Sequence, residues 1–199
     1  VTSLGDIRQI LIGERGYPFL QAMNYTRLPN EVLRTLDLVV VHDMEIPELK
    51  DTAERCARYF ADQPKQGSVV AGNLVFKSGS SAHYCVSVTA VVQCVRERDV
   101  AWHAPGANHN GIGVELAGKA SQSPRDWVDA YSSEVLVNAA NLIGAICETY
   151  DLPIAFVDDA GLLKGERGIT THACVSRAFH KSTHTDPGAG FPMDLLLDL

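Results

Sequence analysis

Residues 36–43 read Leu36-Asp37-Leu38-Val39-Val40-Val41-His42-Asp43. The uninterrupted, largely β-branched run up to Val41 suits a strand covered on both faces, as in the parallel sheet of an α/β protein, rather than one alternately wetted. It stops on two polar residues, His42 and Asp43. The C-terminal end of a central strand is where open α/β sheets build their sites.

Working outward, Glu48 to Asp62 places Leu49, Ala53, Cys56, Ala57 and Phe60 on one helical stripe. Residues 63–72 read as a loop, and Leu74 to Lys77 as a short strand or irregular segment. Ala82 to Ala90 and Val91 to Val95 form a hairpin or two successive strands. Residues 99–111 are a loop rich in Trp, His, Asn, Pro and Gly. Ile112 to Leu116 is a strand carrying Glu115, and Tyr131 to Tyr150 is a helix stopped before Pro153. Ile169 to His172 is expected to be a last short strand. From it a polar loop leads to Asp186-Pro187-Gly188 and a terminal helix begun near Pro192. Upstream, residues 1–35 read as a short helix around Ile7–Ile12 followed by a loop arm packed on the body. Interleaved strands and helices predict one α/β domain over 36–199: a central mixed, largely parallel sheet flanked by helices.

Bulk properties narrow the function classes. A net charge of −7, a pI near 5.4 and the lack of a Lys/Arg-rich run argue against a nucleic-acid partner. No stretch reaches the roughly 18 apolar residues that span a membrane. Val1 to Arg15 carries Asp6, Arg8, Glu14 and Arg15 and lacks the apolar core of a secretory signal. The expectation is a protein made in the cytoplasm without a signal peptide, and a start at Val1 suggests a processed form or excised domain. Five cysteines with no CxxC pair predict buried thiols rather than a disulfide framework.

Seven histidines carry most of the chemical interest: His42, His83, His103, His109, His172, His180 and His184. No HExxH is present, so the metal signal is positional. His42 and His172 each close a predicted strand, and Asp186 follows in the next loop, so all three could meet at one sheet edge. Catalytic zinc takes three such ligands and keeps one position open. On these residues alone, strand-end histidines hydrogen-bonded at a surface remain the alternative. Glu115 sits among apolar neighbours, where a carboxylate is costly without a partner. The competing reading places it on the wet face of a half-exposed strand. His180 and His184 are spaced as a helical metal pair, but Phe179 to Thr185 does not read as helical. His109 and His180 read as surface residues.

Several motifs, in order, resemble those of the zinc N-acetylmuramoyl-L-alanine amidases of the type-2 amidase and peptidoglycan-recognition-protein superfamily. They are Val39-Val40-Val41-His42, Ser81-Ala82-His83-Tyr84, Ala101-Trp102-His103-Ala104 with Asn108, and Ile112-Gly113-Val114-Glu115-Leu116. Ile169-Thr170-Thr171-His172 and Asp186-Pro187-Gly188-Ala189-Gly190-Phe191-Pro192 complete the set. The resemblance spans about Leu36 to Pro192. It implies one zinc ion held by His42, His172 and Asp186, with Glu115 activating the attacking water. His184 stands where many members carry a Lys, which implies an oxyanion-stabilising role altered by the exchange. Met193 replaces a frequent aromatic. His83, Trp102, His103 and Asn108 fall where a substrate groove is expected.

The implied activity is hydrolysis of the amide between N-acetylmuramic acid and L-alanine in bacterial peptidoglycan. An acidic third ligand and the tail sequence resemble phage endolysins, which lyse the host wall from within. The expected form is a monomer acting on peptidoglycan. Two alternatives stay open: an intracellular anhydro-muropeptide recycling amidase, and a non-catalytic peptidoglycan-binding module.

Overall fold

The computed structural model describes residues 11–67, 69–70, 73–74 and 79–199. Its strands are β1 (Leu11–Ile12), β2 (Pro18–Phe19), β3 (Tyr25–Thr26), β4 (Leu38–Asp43), β5 (Val69–Val70), β6 (Asn73–Leu74), β7 (Tyr84–Val86), β8 (Val91–Gln93), β9 (Val100–Ala101), β10 (Gly111–Leu116) and β11 (Gly168–Thr171). The helices are α1 (Thr52–Asp62), α2 (Ala130–Tyr150), α3 (Asp159–Lys164), α4 (His172–Phe179) and α5 (Met193–Asp198). Among the described residues one sheet of seven strands runs in the order β1-β2-β8-β7-β10-β4-β11. β4 is parallel to both of its neighbours, β10 and β11, while β7 and β8 form an antiparallel hairpin. This is the expected mixed, largely parallel α/β sheet.

Every residue of β4 is buried, which is why its sequence is a continuous apolar run. Pleating sends its side chains into two cores. Val39 and Val41 join Ile112, Val114 and Leu116 in a large cluster that takes in the apolar stripe of α2: Val135, Leu136, Ala139, Leu142, Ile143 and Ile146. Leu38 and Val40 pack instead with Val157 and with Leu162, Cys174, Val175 and Ala178 of α3 and α4. The α2 N-terminus is capped by Asp129, whose Oδ1 accepts from the Ser132 N–H at 2.8 Å. Its C-terminus closes on Asp151 in the left-handed region (φ 52°), ahead of Pro153.

Three differences from the sequence reading have physical causes. The expected helix around Ile7–Ile12 lies mostly outside the described residues, and its last two, Leu11–Ile12, are extended and pair with Pro18–Phe19. Val69–Val70, inside the segment read as loop, pairs antiparallel with Asn73–Leu74, whose Leu74 opens the segment read as a short strand or irregular; Val75 to Lys77 lie outside the described residues. The last strand ends at Thr171, and His172 opens α4, a helix read as loop. Thr171 Oγ1 accepts from the Cys174 N–H at 3.2 Å, so the strand's final residue is also the helix cap. All five cysteines are buried and free.

Two arginines tie the N-terminal segment to the sheet. Arg15 meets the buried Glu97 at 2.6 Å, and Glu97 also accepts from the hydroxyls of Tyr84 and Tyr150. The Arg34 guanidinium donates to the carbonyls of Glu97, Asp99, Asn108, His109 and Gly111.

Candidate metal centre

The parallel register does most of the assembly. Glu115 stands opposite His42 on β10, and Thr171 opposite Val41 on β11. His172, one residue on, therefore comes level with His42, so three strand ends deliver Glu115, His42 and His172 side by side. Asp186 arrives from the following loop and is pinned there by its backbone: its carbonyl accepts from the Ala173 N–H at 2.9 Å, in the first turn of α4.

The Asp186 carboxylate bridges the two imidazoles. His42 Nδ1 lies 2.9 Å from Oδ2 and His172 Nδ1 lies 3.2 Å from Oδ1. All three residues are buried, and their candidate ligand atoms lie within 4.8 Å of one another. Tetrahedral zinc at about 2.0–2.1 Å from each donor spaces its ligand atoms about 3.3 Å apart. The two N–O separations sit at that spacing, and two imidazoles with a carboxylate are a zinc-type donor set, so the residues fit one divalent ion.

Burial shapes the charges around the cluster. It pushes the His42 imidazole below its ordinary pKa, against the opposing pull of Asp186. On Asp186 burial acts upward, but hydrogen bonds from His172 and His42 and the attraction of both rings outweigh it. The carboxyl is held below the usual carboxylate range. Burial, with like charge from Cys56, Asp186 and Asp43, pushes Glu115 well above it. Glu115 Oε2 and Asp43 Oδ2 are sealed from solvent with no hydrogen-bond partner among the described residues. Burial brings Asp43 up to about 7 despite a hydrogen bond from the Glu45 N–H. Unpartnered carboxylates beside the cluster are what a site prepared for a cation or a transferred proton contains.

A cleft of about 570 Å³ opens over these strand ends, with Glu45, Tyr59, Trp102, Thr183 and His184 among its walls. The outward alternative for Glu115 does not hold: both sheet faces are covered at β10, and Glu115 lines the cleft. His184 is exposed at the mouth, stacked on His172 at 4.4 Å between ring centroids, with Nδ1 3.4 Å from Asp186 Oδ1. Trp102 is half-buried on the cleft wall, and its indole N–H donates to Thr26 Oγ1. Of the other groove candidates, His103 lines the cleft, Asn108 is half-buried beside it, and His83 sits deeper than expected. His83 is fully buried behind the wall, where Nδ1 accepts from the Gly113 N–H at 3.0 Å. Asn108 uses Oδ1 to accept from the N–H groups of His103 and Ala104, bracing the loop. His103 is buried against His42. His109 and His180 are exposed.

Sequence reasoning missed Asp43 and Arg34. Asp43 carried the same strand-end signal as His42 but has no obvious partner in the chain. Arg34 carried none, because its partners are backbone carbonyls and the ring of the buried His83.

A buried two-histidine, one-aspartate cluster at parallel strand ends, with a carboxylate in register beside it, has the form of a hydrolase metal centre. A family model described as N-acetylmuramoyl-L-alanine amidase matches residues 33–189, and the chain belongs to that family. The fold is that of solved structures of low identity. The hydrolase AmiA of Staphylococcus aureus, in complex with its ligand, aligns with a TM-score of 0.57 at 15% identity, covering 85% of this chain and 77% of that one. A mutant endolysin from Bacillus subtilis gives 0.50 at 16%, covering 89% and 91%. The N-acetylmuramoyl-L-alanine amidase LysC from Clostridium intestinale gives 0.50 at 12%, covering 89% and 93%. No curated protein matches the chain. The protein is thus an amidase of the peptidoglycan-cleaving class, built on one α/β domain. None of its helices, among the described residues, is long and apolar enough to cross a membrane.

Proposed function

We propose that the protein is a zinc-dependent amidase that cleaves the bond between N-acetylmuramic acid and L-alanine in wall peptidoglycan, in an endolysin-type lytic role. The observation that carries the zinc reading is the Asp186 carboxylate held between His42 Nδ1 and His172 Nδ1 at 2.9 and 3.2 Å. These three side chains would hold the ion. When bound, zinc acts as a Lewis acid and lowers the pKa of a bound water to about 7, giving a nucleophile at neutral pH.

The chain's own residues do the rest. Glu115, level with His42, takes a proton from the attacking water as the oxygen adds to the carbonyl carbon. It returns that proton to the L-alanine nitrogen as the C–N bond breaks, general base and then general acid, work typically worth about 10²–10⁴-fold. Its lack of a partner at Oε2 among the described residues suits a group that must both accept and release a proton. His184, exposed at the mouth, donates to the developing oxyanion, where one donor is typically worth about 10²–10³ in rate. Trp102 offers a flat wall for sugar or methyl groups.

The lytic role follows from the resemblance of the Ile169–His172 strand and the His184–Gly188 tail to phage lysins. Digestion of purified sacculi tests the whole reading. New L-alanine amino termini that vanish with chelator support it. Cleavage confined to soluble anhydro-muropeptide would instead indicate a recycling enzyme, and binding without cleavage a recognition module.

A further inference from the structure

We propose that His103 is a positioning residue that fixes the tautomer of His42, leaving the His42 Nδ1 lone pair free for the metal. The inference rests on the zinc reading above and adds to it a residue outside the ligand set.

The chain of contacts has one direction. His103 Nε2 lies 3.3 Å from the Gly111 carbonyl oxygen. A carbonyl only accepts, so that nitrogen carries the ring proton. With no carboxylate against its ring among the described residues, the buried His103 is a neutral imidazole with one proton, and Nδ1 is a bare acceptor. His103 Nδ1 lies 3.1 Å from His42 Nε2, so His42 donates there. With the metal bound, His42 keeps this Nε2 proton and turns an unprotonated Nδ1 to the ion beside Asp186 and His172; without it, a proton on Nδ1 bridges the 2.9 Å to Asp186 Oδ2. A metal-ligating histidine is commonly oriented through its other ring nitrogen in this way, and loss of the partner typically costs about 10–100-fold in metal affinity.

The surroundings are built to hold this ring. The two imidazoles meet nearly edge to face, 5.2 Å between centroids at 83°. Gly113 makes the space: a Cβ there would fall 2.6 Å from His103 Cγ. Asn108 Oδ1 holds the His103 backbone at 3.0 Å and that of Ala104 at 2.7 Å. His172 has no equivalent. Its Nε2 lies 3.3 Å from Ser182 Oγ, and a hydroxyl can donate or accept. The direction is therefore set at His42 and left open at His172.

Zinc competition titrations on the full chain, compared across the unaltered protein, His103→Leu and His103→Asn, test this. The unaltered protein should bind one equivalent. His103→Leu should bind it about 10–100-fold more weakly. His103→Asn should stay within about threefold, because its amide oxygen stands near the former Nδ1 and can only accept. Long-range proton–nitrogen spectra of the zinc-loaded, ¹⁵N-histidine-labelled protein give a readout that needs no variant: His42 should be protonated at Nε2. Unchanged affinity in His103→Leu, or a proton on His42 Nδ1, would overturn the assignment of His103 alone. No zinc binding by the unaltered protein would overturn it together with the metal reading.

Discussion

Glu115 and His42 stand directly opposite each other on neighbouring parallel strands, the carboxylate on β10 and the imidazole on β4. That register sets a carboxylate beside a metal-ligand candidate without help from any loop. Replacing the carboxylate by its isostere separates the two roles. Glu115→Gln should keep one equivalent of zinc and lower turnover on sacculi by about 10²–10⁴-fold. The same change should raise the thermal stability of the metal-free protein at neutral pH, because burial pushes the Glu115 pKa up, so folding there must either take up a proton that the unfolded chain has released or bury a charge. Retained turnover would remove Glu115 from the mechanism.

His42→Ala should abolish zinc binding and activity together. Ligand binding to the native state raises its melting temperature, so zinc should stabilise the unaltered protein against heat. Calorimetry with and without added zinc should show that increment in the unaltered protein and none in the variant. A zinc-dependent shift surviving in His42→Ala would locate the ion elsewhere.

His184→Ala should reduce kcat by about 10²–10³-fold while zinc stays bound, as expected for a group that meets only the oxyanion. His184→Lys should retain measurable activity and extend the alkaline limb of the pH profile, since an ammonium keeps its proton above the range of an imidazole. Complete inactivity of the Lys variant would argue against the donor role.

Asp43 gives a pH signature of its own. Its carboxyl is brought up from 3.8 to about 7 by burial. Between those values the folded protein holds a proton that the unfolded chain has released, so this group's contribution to stability falls as pH rises from about 4 to about 7. Asp43→Asn keeps an oxygen for the Glu45 N–H and removes that loss. In chemical denaturation of metal-free protein, the stability of the variant relative to the parent should grow across this window. The total gain should be on the order of a few kcal/mol. A difference that stays flat with pH would contradict it.

Arg34→Lys should destabilise the fold by about 2–4 kcal/mol. One ammonium cannot reach the carbonyls that the guanidinium fork holds from Glu97 to Gly111. Melting temperature and unfolding by urea would both register the change. A variant as stable as the parent would show that these contacts contribute little.

The sheet was legible where local pattern and burial agree. Val39–Val41 could only be a doubly covered strand, and Tyr131–Tyr150 shows its buried stripe at helical spacing. The three metal-ligand candidates were suggested by strand ends and by motif, and parallel register explains why they meet. What stayed hidden depends on tertiary geometry. Helix α4 follows a strand with no intervening loop, so His172 reads as a strand end although it opens a helix. His83 carries the polar character of a groove residue but sinks behind the wall, while His103 stays in the cleft lining with its ring turned onto His42. Arg34 spends its charge on backbone carbonyls, which leave no trace in the order of side chains.

Zinc-edge anomalous diffraction from crystals of the zinc-loaded protein tests the central claim most directly. One peak should appear about 2.0–2.2 Å from His42 Nδ1, His172 Nδ1 and an Asp186 carboxylate oxygen. No peak at that position, or an ion bound by other side chains, would contradict it.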